Sequence, residues 1–77
     1  MKKIQILGSG CAKCTRLAEA ATLAAQETGQ PFELEKITDI VRIMAFGVMT
    51  TPALAIDGKV KSVGKLLSVA EIKALLV

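Results

Sequence analysis

The chain has 77 residues, of which 52% are hydrophobic, 3% are aromatic and 22% are charged, and its formal net charge is +3. This length predicts one domain over residues 1–77 with a single aliphatic core. The high hydrophobic fraction argues against a disordered protein. The scarcity of aromatic side chains and the spread of lysines along the chain argue against a stacking surface or a phosphate-binding patch, so we expect no nucleic-acid partner.

The first predicted strand covers residues 3–7, and Gly8-Ser9-Gly10 follows as a turn. Residues 11 to about 27 predict a helix, because their apolar side chains recur at i, i+3, i+4 and i+7. Gly29 fits the position just past the end of a helix, and Pro31 lies two residues beyond it. The helix is therefore expected to end before Gly29.

Residues 32–37 alternate with period two, which predicts a second strand with Lys36 following Phe32 and Leu34 on one side. Thr38 is expected to cap a short helix from Asp39 to about Phe46. Met44 in that helix is expected to serve in packing rather than as a sulfur ligand.

The C-terminal part begins with Pro52 and a nearly continuous apolar run, residues 53–56, as in an interior strand. Asp57-Gly58 is a two-residue hairpin signal, so residues 59–63 are predicted to return as the next strand. Gly64 permits a turn. Ser68 and Glu71 form an S-x-x-E capping box that begins the last helix.

The predicted order is therefore β-α-β-α-β-β-α, which belongs to the α/β class. A helical crossover between the first two strands favours parallel pairing, whereas the last two strands form an antiparallel hairpin. A mixed four-stranded sheet covered by three helices satisfies both requirements.

Cys11 and Cys14 are the only cysteines, and they lie three residues apart at the start of the first predicted helix. Unpaired N–H groups and the helix dipole stabilise a thiolate there, and Lys13 adds a positive charge. Such a pair is suited to disulfide exchange, with Cys11 as the attacking thiolate and Cys14 as the resolving cysteine. Alternatively, two thiolates can bind Cu(I) or another thiophilic metal or metalloid.

The sequence downstream of the cysteines separates these two interpretations. The chain resembles small thioredoxin-like, glutaredoxin-like redox-active disulfide proteins over essentially all of its length. The motifs that carry the resemblance are Gly10-Cys11-Ala12-Lys13-Cys14, Gly47-Val48-Met49-Thr50-Thr51-Pro52-Ala53-Leu54, Asp57-Gly58-Lys59-Val60 and Gly64.

This resemblance implies a reduced thioredoxin fold in which Pro52 follows a cis peptide bond and lies against both cysteines. It implies that the Thr51 backbone pairs with an extended substrate, in the manner of strand addition, and that Met49 borders the substrate groove. The expected partners are disulfide-containing proteins and an upstream dithiol or flavin reductase. No cofactor is expected, and metal binding by Cys11 and Cys14 remains the alternative.

The chain departs from typical thioredoxins next to the cysteines. It has Gly10 where they carry tryptophan, and Ala12-Lys13 where they carry Gly-Pro. Gly10 and Lys13 are therefore expected to tune the reduction potential, and the direction of electron transfer stays open.

The sequence also predicts where the protein resides. The apolar run Ile4–Leu7 is shorter than the roughly 7–15 residues of a secretory signal core, and nothing approaches the ~20 apolar residues of a membrane span. We therefore expect a cytoplasmic protein without a membrane partner. In a reducing compartment, closely spaced cysteines favour redox or metal chemistry over a structural staple.

Overall fold

The computed structural model describes residues 2–8 and 12–77. Within these residues the strands are β1 (Lys2–Leu7), β2 (Phe32–Ile37), β3 (Ala53–Ile56) and β4 (Lys59–Val63), and the helices are α1 (Ala12–Thr28), α2 (Ile40–Ala45) and α3 (Val69–Leu76). Their order along the chain is the predicted one. Among the described residues, no helix is both long and apolar enough to cross a lipid bilayer.

The strands form one mixed sheet with the order β2-β1-β3-β4. The β1 and β2 strands are parallel, with Ile6 opposite Lys36, whereas β3 runs antiparallel to both β1 and β4. Asp57 and Gly58 both have positive φ, at 53° and 83°, which is the backbone conformation of a type I′ hairpin turn. The predicted fold class, with its mixed sheet and three helices, is confirmed.

The larger core lies between the sheet and the helices α1 and α3. Successive residues of a strand point to opposite faces, so Ile4 and Ile6 face these helices while Leu7 faces the other way. The buried alanines of α1 have small side chains, which lets the helix lie close to the sheet; they are Ala18, Ala21, Ala24 and Ala25.

The second sheet face is covered mainly by α2, whose start differs from the prediction. Asp39 is the N-cap rather than Thr38, because Asp39 has extended backbone and its carboxylate accepts a hydrogen bond from Val41 N–H at 3.0 Å. The helix buries Ile43, but Met44 is 66% exposed. The prediction that Met44 serves in packing is therefore wrong, because so short a helix turns a single side towards the sheet.

Candidate functional site

Cys14 lies in the first turn of α1, with its side chain only 5% exposed. The N–H groups of a first helical turn have no intrahelical partner, and together with the helix dipole they favour negative charge. Cys14 is disulfide-bonded in this structure. The other cysteine of the sequence, Cys11, lies outside the described residues, as does Gly10.

Gly8, at the end of β1, contacts Cys14 closely. A Cβ atom on Gly8 would overlap Cys14 Sγ and would lie 3.2 Å from Cys14 Cβ. It would also lie 3.8 Å from Thr51 Cβ, so residues from β1, α1 and the segment before β3 meet at this point. The sequence predicts only a turn at Gly8. A glycine directly after a strand is the signal that could have indicated close approach of another group.

The segment before β3 supplies the second half of the site. The Thr51–Pro52 peptide bond is cis, as the resemblance implied. Pro52 is fully buried, and its carbonyl accepts a hydrogen bond from Gly64 N–H at 2.7 Å. Gly64 has a φ of +70°, and a Cβ there would lie 3.0 Å from Thr50 Cγ2, so the loop after β4 packs against this segment where only a glycine fits easily.

Cys14 and Thr51 both lie next to Gly8, whereas Cys11 and Gly10 lie outside the described residues. Thr51 and Lys13 are exposed, and Met49 is 99% exposed. The predicted roles of Lys13 in tuning and of Thr51, Pro52 and Met49 in substrate binding remain predictions.

A small cavity of about 90 Å³ lies beside Cys14. Its lining comes from β1, α1, β2 and the residue after β2, and consists of Ile6, Gly8, Cys14, Thr15, Lys36 and Thr38. Thr15 and Lys36 also line a wider groove of about 440 Å³ between α1 and β2. Lys36 and Thr38 are not among the site residues predicted from the sequence, although the alternation of residues 32–37 places Lys36 on the same strand side as Leu34.

A charged network occupies the opposite face of the sheet. The Gln5 side-chain amide donates to Glu35 at 3.2 Å, and Arg42 of α2 donates to the other Glu35 oxygen at 3.2 Å. These two hydrogen bonds, with the nearby Lys3 ammonium, hold the pKa of the Glu35 carboxyl below its ordinary value. Because Gln5 and Glu35 alternate with Ile6 and Lys36, this network lies on the other side of the sheet from the Cys14 cavity.

The metal-binding alternative rests on the cysteine pair alone. Within residues 2–8 and 12–77, no group of three or more His, Cys, Asp and Glu side chains is placed to hold a metal ion. A two-thiolate site that included Cys11 would fall partly outside these residues, so the alternative remains untested.

Comparison with known proteins identifies the family. The family model of the thioredoxin domain matches residues 2–77. A thioredoxin of Methanothermobacter thermautotrophicus is 43% identical over 76 residues, which cover 99% of each chain. A thioredoxin of Methanocaldococcus jannaschii is 40% identical over 73 residues, which cover 95% of this chain and 84% of the relative. With its mixed four-stranded sheet, three helices and this similarity along nearly its whole length, the chain belongs to the thioredoxin family.

Proposed function

We propose that this protein is a thiol–disulfide oxidoreductase that exchanges a Cys11–Cys14 dithiol/disulfide with disulfides of proteins or small molecules. The observation that carries the proposal is the position of Cys14, which lies buried in the first turn of α1 against Gly8. A sulfur held there reacts within the protein more readily than with a large partner. This supports Cys14 as the resolving cysteine and leaves Cys11 as the attacking one.

The exchange moves two electrons in two steps. The Cys11 thiolate attacks one sulfur of a substrate disulfide, so that a mixed disulfide forms and the other substrate sulfur leaves as a thiolate. The Cys14 thiolate then attacks Cys11, which forms the Cys11–Cys14 bond and releases the second substrate sulfur. An upstream dithiol or flavin reductase returns the two electrons. We place the protein in the cytoplasm, where such reductants keep thiols reduced.

The substrate site that we propose is the exposed segment before β3. Thr51 is exposed and lies next to Gly8. Pro52 is buried, and its carbonyl accepts a hydrogen bond from Gly64 N–H. An extended substrate that pairs with the Thr51 backbone would lie close to the cysteines, and Met49 would border its path. Strand addition of this kind accepts many sequences, because main-chain hydrogen bonds carry the affinity.

The role assignment predicts opposite results for two variants. Cys14→Ser should accumulate mixed disulfides through Cys11, because the resolving step is lost, whereas Cys11→Ser should accumulate few. Non-reducing electrophoresis and intact mass after incubation with a disulfide-containing protein measure the trapped species. If Cys11→Ser traps partners and Cys14→Ser does not, the two roles are reversed.

A redox titration tests the activity itself. The wild-type protein, equilibrated in dithiol/disulfide buffers of known potential, should give a two-electron transition in thiol content and should reduce a disulfide substrate repeatedly when a reductase is added. A transition without turnover, together with tight binding of Cu(I), would instead support the binding of a thiophilic metal.

A further inference from the structure

The lining of the cavity beside Cys14 includes a lysine, whose positive charge can act on the Cys14 sulfur. Of the described residues that line it, Lys36 is the one with a charged side chain, and the others are Ile6, Gly8, Cys14, Thr15 and Thr38. The register sets this arrangement, because Lys36 is paired with Ile6, and Ile6 points into the core under α1. Lys36 therefore extends from β2 on the sheet face that carries Cys14.

The other charges near Cys14 are placed differently. On α1 itself Lys13 and Arg16 are exposed, and Glu19 lies one turn along, in the wider groove that Lys36 also lines. Asp39, after β2, is engaged in capping α2. Gly8, which follows β1, contacts Cys14, and Thr51 lies beside Gly8; neither residue carries a charge. Of the charged α3 residues, Lys73 pairs with Glu27 at the far end of α1, and Glu71 hydrogen-bonds with Ser68.

We propose that the Lys36 ammonium, acting across this cavity, electrostatically stabilises the anionic form of the Cys14 sulfur during disulfide exchange. The inference rests on the proposed function and adds a residue to it. When an incoming thiolate bonds to Cys11, the Cys11–Cys14 bond breaks and its electron pair leaves on Cys14 Sγ. In the opposite direction, Cys14 must be a thiolate to attack Cys11.

Burial makes such a charge useful. Removing a thiolate from water disfavours it, and Cys14 is 5% exposed, so the helix start has to offset that cost together with any nearby cation. A cavity of about 90 Å³ can hold a few water molecules beside the sulfur. Because Lys36 is itself exposed, solvent screens the interaction, and we expect a moderate effect that weakens as salt is added.

The test uses a Cys11→Ser background, in which Cys14 is the only thiol, and measures its alkylation rate by iodoacetamide at pH 7. Lys36→Met should lower the rate about threefold or more, because a smaller fraction of Cys14 is then thiolate. Lys36→Arg keeps the charge and should retain at least about half of the rate. Lys61→Met removes an exposed lysine from β4 and is the matched control, with a rate close to that of the background protein.

Two further readings complete the test. The ratio between Lys36→Met and the background rate should approach one in about 1 M salt, where charges are screened over about 3 Å. In the protein with both cysteines, Lys36→Met should also slow reduction of the disulfide by a small dithiol about twofold or more, because a more basic thiolate leaves more slowly. Circular dichroism and thermal unfolding identify any variant that has lost its fold.

The proposal is overturned if Lys36→Met alkylates at the rate of Lys61→Met. It is also overturned if Lys36→Arg loses as much rate as Lys36→Met, because shape rather than charge would then be responsible. Alkylation of the Cys11→Ser protein requires no turnover, so this result does not depend on whether the protein is an oxidoreductase. Conversely, absence of disulfide turnover in the wild-type protein would contradict the proposed function and leave the Lys36 measurement valid.

Discussion

Gly8 occupies a position where a hydrogen atom is the only substituent that fits. It directly follows β1, its N–H donates to the Ile37 carbonyl at 3.0 Å, and it contacts Cys14 and lies beside Thr51. Strand glycines that permit close approach of another group have this function in general. The Cys14 and Thr51 segments, which are distant along the chain, can therefore both lie next to Gly8 because this residue has no side chain.

Gly8→Ala should destabilise the protein by about 1–3 kcal/mol, which is typical of an overpacked contact. The loss should be larger for the oxidised protein, because a disulfide-bonded Cys14 sulfur cannot rotate away from the added methyl group. Urea unfolding of the oxidised and reduced forms measures the difference.

Gly29→Ala is the matched control for this substitution. Gly29 has a φ of +71° and open space around its Cβ position, so alanine should cost about 1 kcal/mol of backbone strain in both redox forms. A Gly8→Ala protein as stable as Gly29→Ala in both forms would show that the contact with Cys14 relaxes without cost.

At the scale of single elements, α3 shows how much a short helix depends on its first turn. The helix has eight residues, too few to be stable as an isolated peptide. Its capping box is complete, because Ser68 Oγ accepts from Glu71 N–H at 3.2 Å and Glu71 Oε1 accepts from Ser68 N–H at 3.0 Å. Ile72 and Leu76 then bury the helix against the core under α1.

Ser68→Ala should lower the free energy of unfolding by about 1 kcal/mol, because the N–H of Glu71 loses its acceptor. Ser62→Ala is the comparison. The Ser62 hydroxyl is buried without a hydrogen-bond partner among the described residues, so its removal should leave stability unchanged or slightly raised. Denaturant titration of both variants checks the pair, and equal losses would contradict the capping argument.

The cap of α2 shows what local sequence leaves undecided. Thr38 and Asp39 are adjacent, and both are residue types that cap helices well. Asp39 is the cap because, after the end of β2, its backbone is extended and its carboxylate accepts a hydrogen bond from Val41 N–H. Propensity predicted the helix, whereas the packing of its neighbours placed its first residue.

At the scale of the whole molecule, the two faces of the sheet are covered unequally. The face under α1 and α3 carries the larger apolar core. On the other face, α2 covers one end, and the Glu35 network with Gln5, Arg42 and Lys3 lies beside it. Acid stability should therefore depend in part on carboxylates that are hydrogen-bonded only in the folded protein.

The hydrogen bond from Gln5, followed by that from Arg42, holds the pKa of Glu35 below 4.5, and the backbone and side chain of Ser68 lower the pKa of Glu71 in the same direction. A carboxyl whose pKa is lower in the folded than in the unfolded protein stabilises the fold above the unfolded pKa. That stabilisation is lost as pH falls through the folded pKa. Stability should consequently decline below about pH 5.

Glu35→Gln should make this decline shallower, and Arg42→Gln, which removes one donor but keeps the carboxylate, should give an intermediate slope. Urea unfolding at a series of pH values between about 3 and 7 measures the three profiles. A Glu35→Gln profile parallel to that of the wild type would show that the network contributes nothing to acid stability.

Local sequence alone determined most of the architecture of this protein. Alternation at residues 32–37, helical spacing after Cys11, the Asp57-Gly58 turn and the Ser68–Glu71 box act within a few residues, and the structure contains the strands, helix, hairpin and cap that they predict. The family motifs also predicted the cis peptide bond before Pro52, which the structure contains.

Only the tertiary structure decided which residues surround the Cys14 sulfur. Gly8 follows β1, Lys36 lies in β2 and Thr51 precedes β3, and no spacing along the chain relates Gly8 or Lys36 to Cys14. Their meeting depends on the parallel register of β1 with β2 and on the depth at which α1 lies against the sheet. Long-range packing sets both quantities, so the sequence could identify the cysteine pair without identifying the glycine and the lysine that the structure places beside it.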